Sequence, residues 1–579
     1  MSAPLVLHRR RHAYPVLAAV LAMLTAGALA ACAAIPTDGP VSEGVEDVSE
    51  LAPVTLLGDS PGEDASPQQI VDGFLNASAA GFSRESTADI SKDFSVAREY
   101  LAGEARDTWD PGERVVVYSA ASSPESTMLT DTQVQVRVGV AARVDSDGRY
   151  QESGPETQES LVFDLVMDSA GQWRISGLDD GVVLSQPNFN LVYRTATLYF
   201  LSADSTYLVP ETRSFPVRNL ATSVVRALVE GPSPWLQDAV RTAVPDGMHL
   251  TTPAVPVDPS GTADVSLTGA ALSDPTERAL LMAQLEASLR IPRVSAVQLT
   301  VGDVPLDWEP ARLERSVLPA DTALEVVQGD ALVALTDGEL TPVDEVGALT
   351  GLQAGSTARN EQGNVRVLLS DGDALVRAPT TQSGSAQPLV TGVALADPSV
   401  DRFGWAWTAS ASPEGPVLTA ARSDGTQQVV QADWLAGRTV REVRVARDGS
   451  RVAILSTGDD GPGLDVAGVV RGGVGVPQQL GEPLATGAML TDATRVVWFD
   501  ETTLAVVGKV AGATSAGIHL VPVAGPTRAA PSLEGIVSVA GGKADRSLYA
   551  ATADGQLWSR SGQRWVSVAT GVHDPSFPG

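Results

Sequence analysis

The sequence predicts a multidomain protein in which two α+β domains are followed by an all-β propeller. Three observations support this fold class. The chain has 579 residues, which is enough for several domains of about 100–200 residues each. Helical and strand periodicities alternate through the first half of the chain, as in α+β domains. From about residue 315 onward, helical periodicity nearly disappears, and short strands recur between turn residues.

The first 31 residues have the composition of a secretory signal peptide. The basic cluster HRRRH at residues 8–12 is followed by an uncharged, Ala-rich run over 14–31 that ends in Leu-Ala-Ala. Cys32 follows directly and is the only cysteine of the chain. A cysteine in this context resembles the bacterial lipobox, which implies cleavage between Ala31 and Cys32. The Cys32 thiol would then carry a diacylglycerol, and its new amino group an acyl chain such as palmitate.

An uncleaved membrane anchor with an incidental cysteine is the alternative, because the uncharged run of about 18 residues is just long enough to span a bilayer. The small residues that end the run favour cleavage. Both interpretations place the rest of the chain outside the cytoplasm. Lipidation would hold it at the extracytoplasmic face of the cell membrane, since two or more acyl chains anchor a protein stably.

Charge and cysteine usage restrict the partners and the source of stability. The formal net charge is −30, which disfavours nucleic acid and anionic lipid as partners. A single cysteine permits no intrachain disulfide. Stability must therefore come from buried cores, and the lipid rather than a basic surface would hold the protein at the membrane.

A tether and a first domain follow Cys32. Residues 32–65 are rich in Pro, Gly, Ser, Asp and Glu, which predicts a flexible tether. The N-terminal α+β domain is predicted over 66–190. Its first helix is expected to begin with Ser66 as N-cap and Pro67 at the first helical position. A second helix is predicted in DFSVAREYLAG, and strands in RVVVYSA, TQVQVRVGVAARV, ESLVFDLVMD and GQWRISGL.

A second α+β domain is predicted over 191–310. TATLYFLSADSTYLVPETRSF is typical of two strands around a turn. Helices are predicted in VRNLATSVVRALVEGP, where apolar residues from Val217 to Leu228 recur at helical spacing, and in SDPTERALLMAQLEASLRIP. Strand patterns at GTADVSLTG and VSAVQLTVGDVPL complete a β-β-α-β-α-β order. This order predicts one mixed sheet covered by two helices.

The propeller is predicted over 315–579. Asp-Gly between apolar runs is a strong hairpin signal. It occurs at residues 337–338, 371–372, 424–425, 460–461 and 554–555. Paired hairpins that recur roughly every 35–50 residues predict a propeller of about six blades. A large β-sandwich is the alternative, although a sandwich does not require this recurrence.

The order of these segments resembles the actinobacterial lipoprotein LpqB family. AAIPTDGPV follows the lipobox cysteine directly, and the terminal WVSVATGVHDPSFPG also fits. LYFLSADSTYLVPETR, VVRALVEGPSP, AVPDGMHL and LLMAQLEASLRIPRVSAVQLTVG resemble the domain named after the spore-germination protein GerM. The resemblance extends over nearly the whole chain after the signal peptide.

This resemblance implies a non-enzymatic accessory role beside the MtrAB two-component system. The expected partner is the extracellular part of a sensor kinase similar to MtrB, with effects on envelope homeostasis and cell division. Cys32 is the one position to which the family assigns a function, so no catalytic, cofactor-binding or metal-ligating residue is carried over.

The sequence contains no convincing catalytic or metal-binding motif. GDSPG at 58–62 matches a nucleophile-elbow pattern, but Pro61 after the serine has no backbone N–H for an oxyanion hole. His249, His519 and His573 lie in separate segments without metal-ligand spacing. The propeller tryptophans are interpreted as packing residues rather than a ligand surface; they include Trp405, Trp407, Trp498, Trp558 and Trp565.

Two other functions remain open at the sequence level. The GerM-like domain or the propeller could recognise a wall component such as peptidoglycan or a glycan. The protein could also be an envelope hydrolase that uses two propeller carboxylates, which would require paired acids in a deep central pocket.

Overall fold

The computed structural model describes residues 56–82, 94–119, 123–269, 272–302, 304–306, 309–544 and 547–579. The predicted signal peptide, the predicted lipidation site Cys32 and most of the predicted tether lie outside the described residues. The last part of that tether, residues 56–65, lies against the N-terminal domain. Tyr100 Oη donates to the Asp59 carbonyl at 2.9 Å, and the Asp64 N–H donates to Gln172 Oε1 at 2.8 Å.

The N-terminal domain packs helices against a bent sheet. Its elements are α1 (Pro67–Gly81), α2 (Ser95–Glu99), α3 (Glu104–Thr108), β1 (Arg114–Tyr118), β2 (Glu125–Thr130), β3 (Gln133–Asp145), β4 (Tyr150–Glu152), β5 (Gln158–Met167), β6 (Trp173–Gly177), β7 (Val182–Ser185) and α4 (Gln186–Val192). The main strand order is β6-β5-β3-β1-β7, and β2 and β4 pair with β3.

Helix α1 begins where the sequence predicted. Ser66 Oγ accepts from the Gln69 N–H, and Gln69 Oε1 accepts from the Ser66 N–H, so a capping box satisfies two otherwise free donors. One face of α1 buries Ile70, Val71 and Phe74 in a core with alternate residues of β3 and β5. The second predicted helix is much shorter than its pattern, since α2 covers five residues.

The second domain contains two sheets and two helices. Its elements are β8 (Tyr193–Ser202), β9 (Tyr207–Pro216), α5 (Leu220–Glu230), β10 (Val240–Arg241), β11 (His249–Leu250), β12 (Thr262–Thr268), α6 (Pro275–Ser288), β13 (Ala296–Val301), β14 (Val304–Leu306) and β15 (Glu314–Arg315). The sheet orders are β10-β8-β9-β15 and β11-β12-β13-β14.

The single mixed sheet predicted for this domain was therefore wrong. Both edges of the β8–β9 hairpin are occupied, by β10 and by β15, so β12 and β13 pair in parallel with each other instead. Helix α5 also starts later than its apolar pattern. Asn219 before it adopts a left-handed conformation, which leaves Val217 outside the helix and exposed.

The rest of the chain forms short strands arranged around an axis. They are β16 (Leu324–Gln328), β17 (Ala331–Thr336), β18 (Glu339–Pro342), β19 (Ala354–Arg359), β20 (Arg366–Ser370), β21 (Ala374–Arg377), β22 (Gln387–Thr391), β23 (Ser399–Val400), β24 (Ala406–Ser410), β25 (Val417–Ala421), β26 (Gln427–Val429), β27 (Thr439–Val445), β28 (Arg451–Gly458), β29 (Gly461–Arg471), β30 (Pro477–Leu480), β31 (Leu484–Thr486), β32 (Leu490–Trp498), β33 (Thr503–Val510), β34 (Gly517–Pro522), β35 (Arg528–Ala529), β36 (Ile536–Ala540), β37 (Tyr549–Thr552), β38 (Gln556–Ser561), β39 (Arg564–Thr570) and β40 (His573–Ser576).

Within the described residues these strands make six antiparallel sheets, which are the blades of a propeller. Blade 1 has the order β18-β17-β16-β40, and blades 2 to 6 begin with β19, β23, β27, β32 and β36 as their inner strands. Because β40 pairs with β16, a strand from each end of the propeller segment shares blade 1 and closes the ring. The predicted fold class, two α+β domains followed by an all-β propeller, is confirmed.

The second domain and the propeller share one hydrophobic core. Trp235 and Leu236 pack in the same cluster as Leu455 and Val466 of blade 4. The backbones approach closely here, since the Gly468 N–H donates to the Trp235 carbonyl at 3.0 Å and a Cβ on Gly468 would lie 2.9 Å from that oxygen. Within the described residues, no helix combines the length and apolar character that crossing a bilayer requires.

Candidate functional site

A cavity of about 740 Å³ lies where the inner strands of the propeller converge. Its walls come from β19, β27, β32, β36 and β40 and from residues 577–579. We call it the central cavity.

One part of the central cavity wall is a group of paired charges. Arg495 Nη1 lies 3.5 Å from Asp397 Oδ2, and Arg444 binds the Glu442 carboxylate. The other Glu442 oxygen accepts from the Val496 N–H at 2.5 Å, which ties blade 4 to blade 5. Burial raises the pKa of Glu442 to about 7, with Arg444 opposing and Asp397 adding to the shift.

Asp397 and Glu442 test the hypothesis that the protein is an envelope hydrolase that uses two propeller carboxylates. Asp397 and Glu442 do lie together in the cavity wall, as that alternative required. Each is held by an arginine, however, and Glu442 is fully buried and also hydrogen-bonded to the backbone. The arrangement therefore favours a structural role for this pair over acid–base chemistry.

Arg447 lies at the other end of the central cavity, in the turn after β27. Its side chain is only 9% exposed, and Nη2 pairs with Glu361 Oε1 at 2.9 Å. Its Nε and Nη1 atoms are buried and have no hydrogen-bond partner among the described residues. Ser538 Oγ, in the wall formed by β36, is also buried without such a partner. Burial lowers the pKa of Arg447, against the attraction of Glu361.

A second, more open cavity of about 1030 Å³ adjoins the central cavity. Asp397 and Arg495 line both cavities, so their ion pair belongs to the shared wall. The rim of the second cavity includes Thr439, Arg441 and Asp492, which are exposed.

A buried charged cluster joins the second domain to blades 4 and 5. Asp448 Oδ2 accepts from Arg451 Nε and Nη2 at 3.0 and 2.7 Å and from Ser316 Oγ at 2.8 Å. Arg451 Nη1 donates to the carbonyl oxygens of Glu501, at 2.8 Å, and of Pro210 in β9. Both charged side chains are at most 1% exposed, so this cluster fixes the junction.

Two further contacts connect the β8–β9 hairpin with the propeller. Arg402 donates to both carboxylate oxygens of Asp204, at 2.8 and 2.9 Å, and lies over the ring of Tyr207. Burial acts to raise the pKa of Asp204, but the hydrogen bonds from Arg402 and Ser202 outweigh it and hold that pKa below its usual value. Tyr199 Oη donates to Glu501 Oε1 at 2.6 Å.

The N-terminal domain also contacts the other two domains. Arg149 Nε donates to Ser233 Oγ of the second domain at 2.9 Å. The Glu152 carboxylate accepts from the N–H and the hydroxyl of Thr527 in blade 5, both at 2.6 Å. Hydrogen bonds or packed side chains therefore join all three pairs of domains.

A set of exposed apolar side chains lies on the N-terminal sheet, with two members on the edge strand β2 and three on β5, which lies on the other side of β3. Its members lie on β2 and β5 and are 37–55% exposed; they are Met128, Leu129, Val162, Val166 and Met167. In the described part of the chain, β2 pairs with β3 on one side and with no strand on the other. We call these residues and the free edge the β2 patch. An unpaired edge beside apolar side chains is a surface onto which another chain can add a strand.

The structure places the remaining sequence-predicted residues as follows. Cys32 and Ala31 lie outside the described residues. Trp405 and Trp407 are buried in a propeller core, as the packing interpretation held, whereas Trp498 also lines the central cavity.

His573 pairs with Asp574 at 2.9 Å, and this hydrogen bond raises the His573 pKa. The described residues contain no group of three or more metal-ligating side chains.

Sequence reasoning missed Arg447, Ser538 and the β2 patch. The run REVRVARDGSR, with arginine at 441, 444, 447 and 451, was a usable signal, because its Asp-Gly turn ends an inner strand of the propeller. Ser538 had no local signal, since nothing in its neighbourhood distinguishes it from other strand serines.

Three family profiles match this chain in succession. They are described as "Lipoprotein LpqB, N-terminal domain" over residues 60–190, "Sporulation and spore germination" over 197–307 and "Lipoprotein LpqB beta-propeller domain" over 330–578.

Curated relatives named Lipoprotein LpqB are similar along most of their length. The protein of Cutibacterium acnes is 30% identical over 536 residues, which cover 85% of this chain and 87% of the relative. The protein of Thermobifida fusca is 29% identical, and the match covers 86% of this chain and 88% of the relative. The protein of Streptomyces coelicolor is 28% identical, and the match covers 95% of this chain and 96% of the relative.

Among solved structures, TolB from Acinetobacter baumannii aligns with a TM-score of 0.33 at 16% identity over 45% of this chain and 68% of that chain. A similarity at that level carries no functional information.

Proposed function

Because the chain belongs to the lipoprotein LpqB family, we propose that it is a non-enzymatic, lipid-anchored accessory protein that binds the extracellular part of a two-component sensor kinase. The kinase would be MtrB-like, and binding would adjust its signalling in envelope homeostasis and cell division. A bound protein shifts a kinase equilibrium when it prefers one of the kinase's conformations.

The β2 patch is the observation that carries this proposal. It combines an unpaired strand edge with exposed apolar side chains, which suits an extended segment of another protein. It lies on the domain that follows the tether. The 24 peptide units from Cys32 to Leu56 span at most about 86 Å, so the patch stays within reach of a membrane protein's ectodomain.

Charge supports a protein partner over the lipid surface. The net charge of −30 repels anionic headgroups. The contacts among the three domains, in turn, would couple binding at the N-terminal domain to the second domain and the propeller.

Substituting both Val162 and Val166 with aspartate is expected to weaken binding of the sensor ectodomain at least about tenfold, since two charges would be buried against an apolar contact. Both valines are more than 40% exposed, so folding should be unaffected. The measurement is biolayer interferometry with the host's sensor ectodomain and the full lipoprotein in detergent.

The matched control carries aspartate at Val429 and Val566, which are similarly exposed on outer strands of the propeller. It should bind as the unmodified protein does. Equal loss of binding in both variants would contradict a role for the β2 patch. Binding to purified wall polymer but not to the ectodomain would instead favour the wall-recognition alternative.

A further inference from the structure

We propose that the central cavity of the propeller binds a small carboxylate with a short apolar body, held by Arg447 and Ser538. This is a ligand site beyond the partner-binding role proposed above.

The first argument is the set of free donors. Arg447 Nε and Nη1 and Ser538 Oγ are buried without partners in the described chain. A buried donor that makes no hydrogen bond destabilises the fold, so native proteins rarely keep one unless it serves a purpose. Here two side chains with such atoms, from the β27–β28 turn and from β36, line the same cavity.

The second argument is the charge that remains available. Arg495 is engaged by Asp397, and Arg444 by Glu442 and by the Pro398 and Val496 carbonyls. Glu361 engages only Nη2 of Arg447. The cavity therefore offers hydrogen-bond donors and one incompletely paired cation, which select an anionic acceptor.

The third argument decides between types of anion. A carboxylate carries a single charge, which matches a single guanidinium. A phosphate dianion would meet repulsion from Glu361, close to Arg447, and from the acids that line the cavity.

The side chains of the cavity wall determine the size and polarity of the part of the ligand beyond its carboxylate. Val445, Val497, Ala540 and Phe577 line the cavity beside the two donors, and they favour a short aliphatic or similarly apolar body. The ligand would enter from the adjoining open cavity, past the Asp397–Arg495 ion pair in the shared wall.

Hexanoate, hexanamide and inorganic phosphate are the probes that test this proposal. Hexanoate and hexanamide have nearly the same shape and differ in charge. Isothermal titration of the full lipoprotein in detergent should give hexanoate a dissociation constant on the order of 1 mM. Hexanamide and phosphate should each bind at least about tenfold more weakly. Equal binding of hexanoate and hexanamide, tighter binding of phosphate, or no detectable hexanoate binding would each overturn the proposal.

Two variants and one control locate the site. R447Q should lower hexanoate affinity at least about tenfold without changing the affinity for hexanamide. S538A should lower hexanoate affinity several-fold while leaving the thermal midpoint equal or higher, because it removes an unpaired hydroxyl. If R447Q folds poorly, the hexanoate affinity of S538A still tests the proposed site. R441Q, on the exposed rim of the second cavity, should bind hexanoate as the unmodified protein does. Unchanged binding in S538A and R447Q would refute the assignment.

Discussion

Replacing Asp448 with alanine is expected to lower the free energy of unfolding by about 3–5 kcal/mol, the typical cost of removing one partner of a buried ion pair. Asp448 is fully buried and accepts hydrogen bonds from Arg451, Ser316 and the Ser450 N–H. Without it, the Arg451 guanidinium keeps its charge in a place that water does not reach. Urea unfolding followed by far-ultraviolet circular dichroism measures the change.

A double variant distinguishes two contributions to the lost stability, the unpaired charge of Arg451 and the hydrogen bonds lost with Asp448. Adding Arg451→Met to Asp448→Ala removes the uncompensated cation, so part of the lost stability should return. As a surface comparison, Glu277→Ala breaks an exposed ion pair with Arg241 and should cost less than about 1 kcal/mol. A cost for Asp448→Ala no larger than that for Glu277→Ala would contradict a stabilising role for the junction.

Cys32→Ser, expressed in the native host, is expected to abolish lipid attachment and the cleavage that follows it, so that the protein keeps its first 31 residues. The hydroxyl of serine cannot receive the thioether-linked diacylglycerol that the lipobox resemblance implies. The uncharged run over 14–31 then remains on the chain and can itself hold it at the bilayer, so the retained leader and the missing acyl mass, rather than the fraction in which the protein is found, decide the test. Mass spectrometry identifies the amino-terminal residue and its modification.

Ala34→Ser is the matched control, because it introduces the same hydroxyl two residues later and keeps Cys32. It should remain in the membrane fraction and carry the lipid. Cleavage of Cys32→Ser before residue 32, or an unmodified Cys32 on a natural chain that keeps its first 31 residues, would contradict lipid anchoring.

Several elements were predictable because their signals lie within a few residues of each other. The Ser66-Pro67 start of α1 and the Asp-Gly turns of the propeller depend on local hydrogen bonds and allowed backbone angles. Asp337 and Gly338, for example, both adopt positive φ in the turn between β17 and β18.

The misassigned elements were those that depend on distant partners. The second domain's strands divide into two sheets because β10 and β15, each two residues long, occupy the edges of the β8–β9 hairpin. Strands this short carry no periodicity that a sequence pattern can reveal. Strand β2 likewise lacks a buried face, so alternation could not indicate it.

The linear chain specified what local chemistry decides: the order of helices and strands and the recurrence that indicates a propeller. It also predicts Cys32 as a lipidation site. The tertiary structure decided which residues line the central cavity. Closure of the ring through β16 and β40 brings inner strands from separate blades to one axis. Only that closure places Arg447 of blade 4 and Ser538 of blade 6 in the wall of one cavity. Burial and hydrogen-bond partners are set by such long-range packing, and so no local sequence pattern shows that Arg447 and Ser538 keep donors without partners in the described chain.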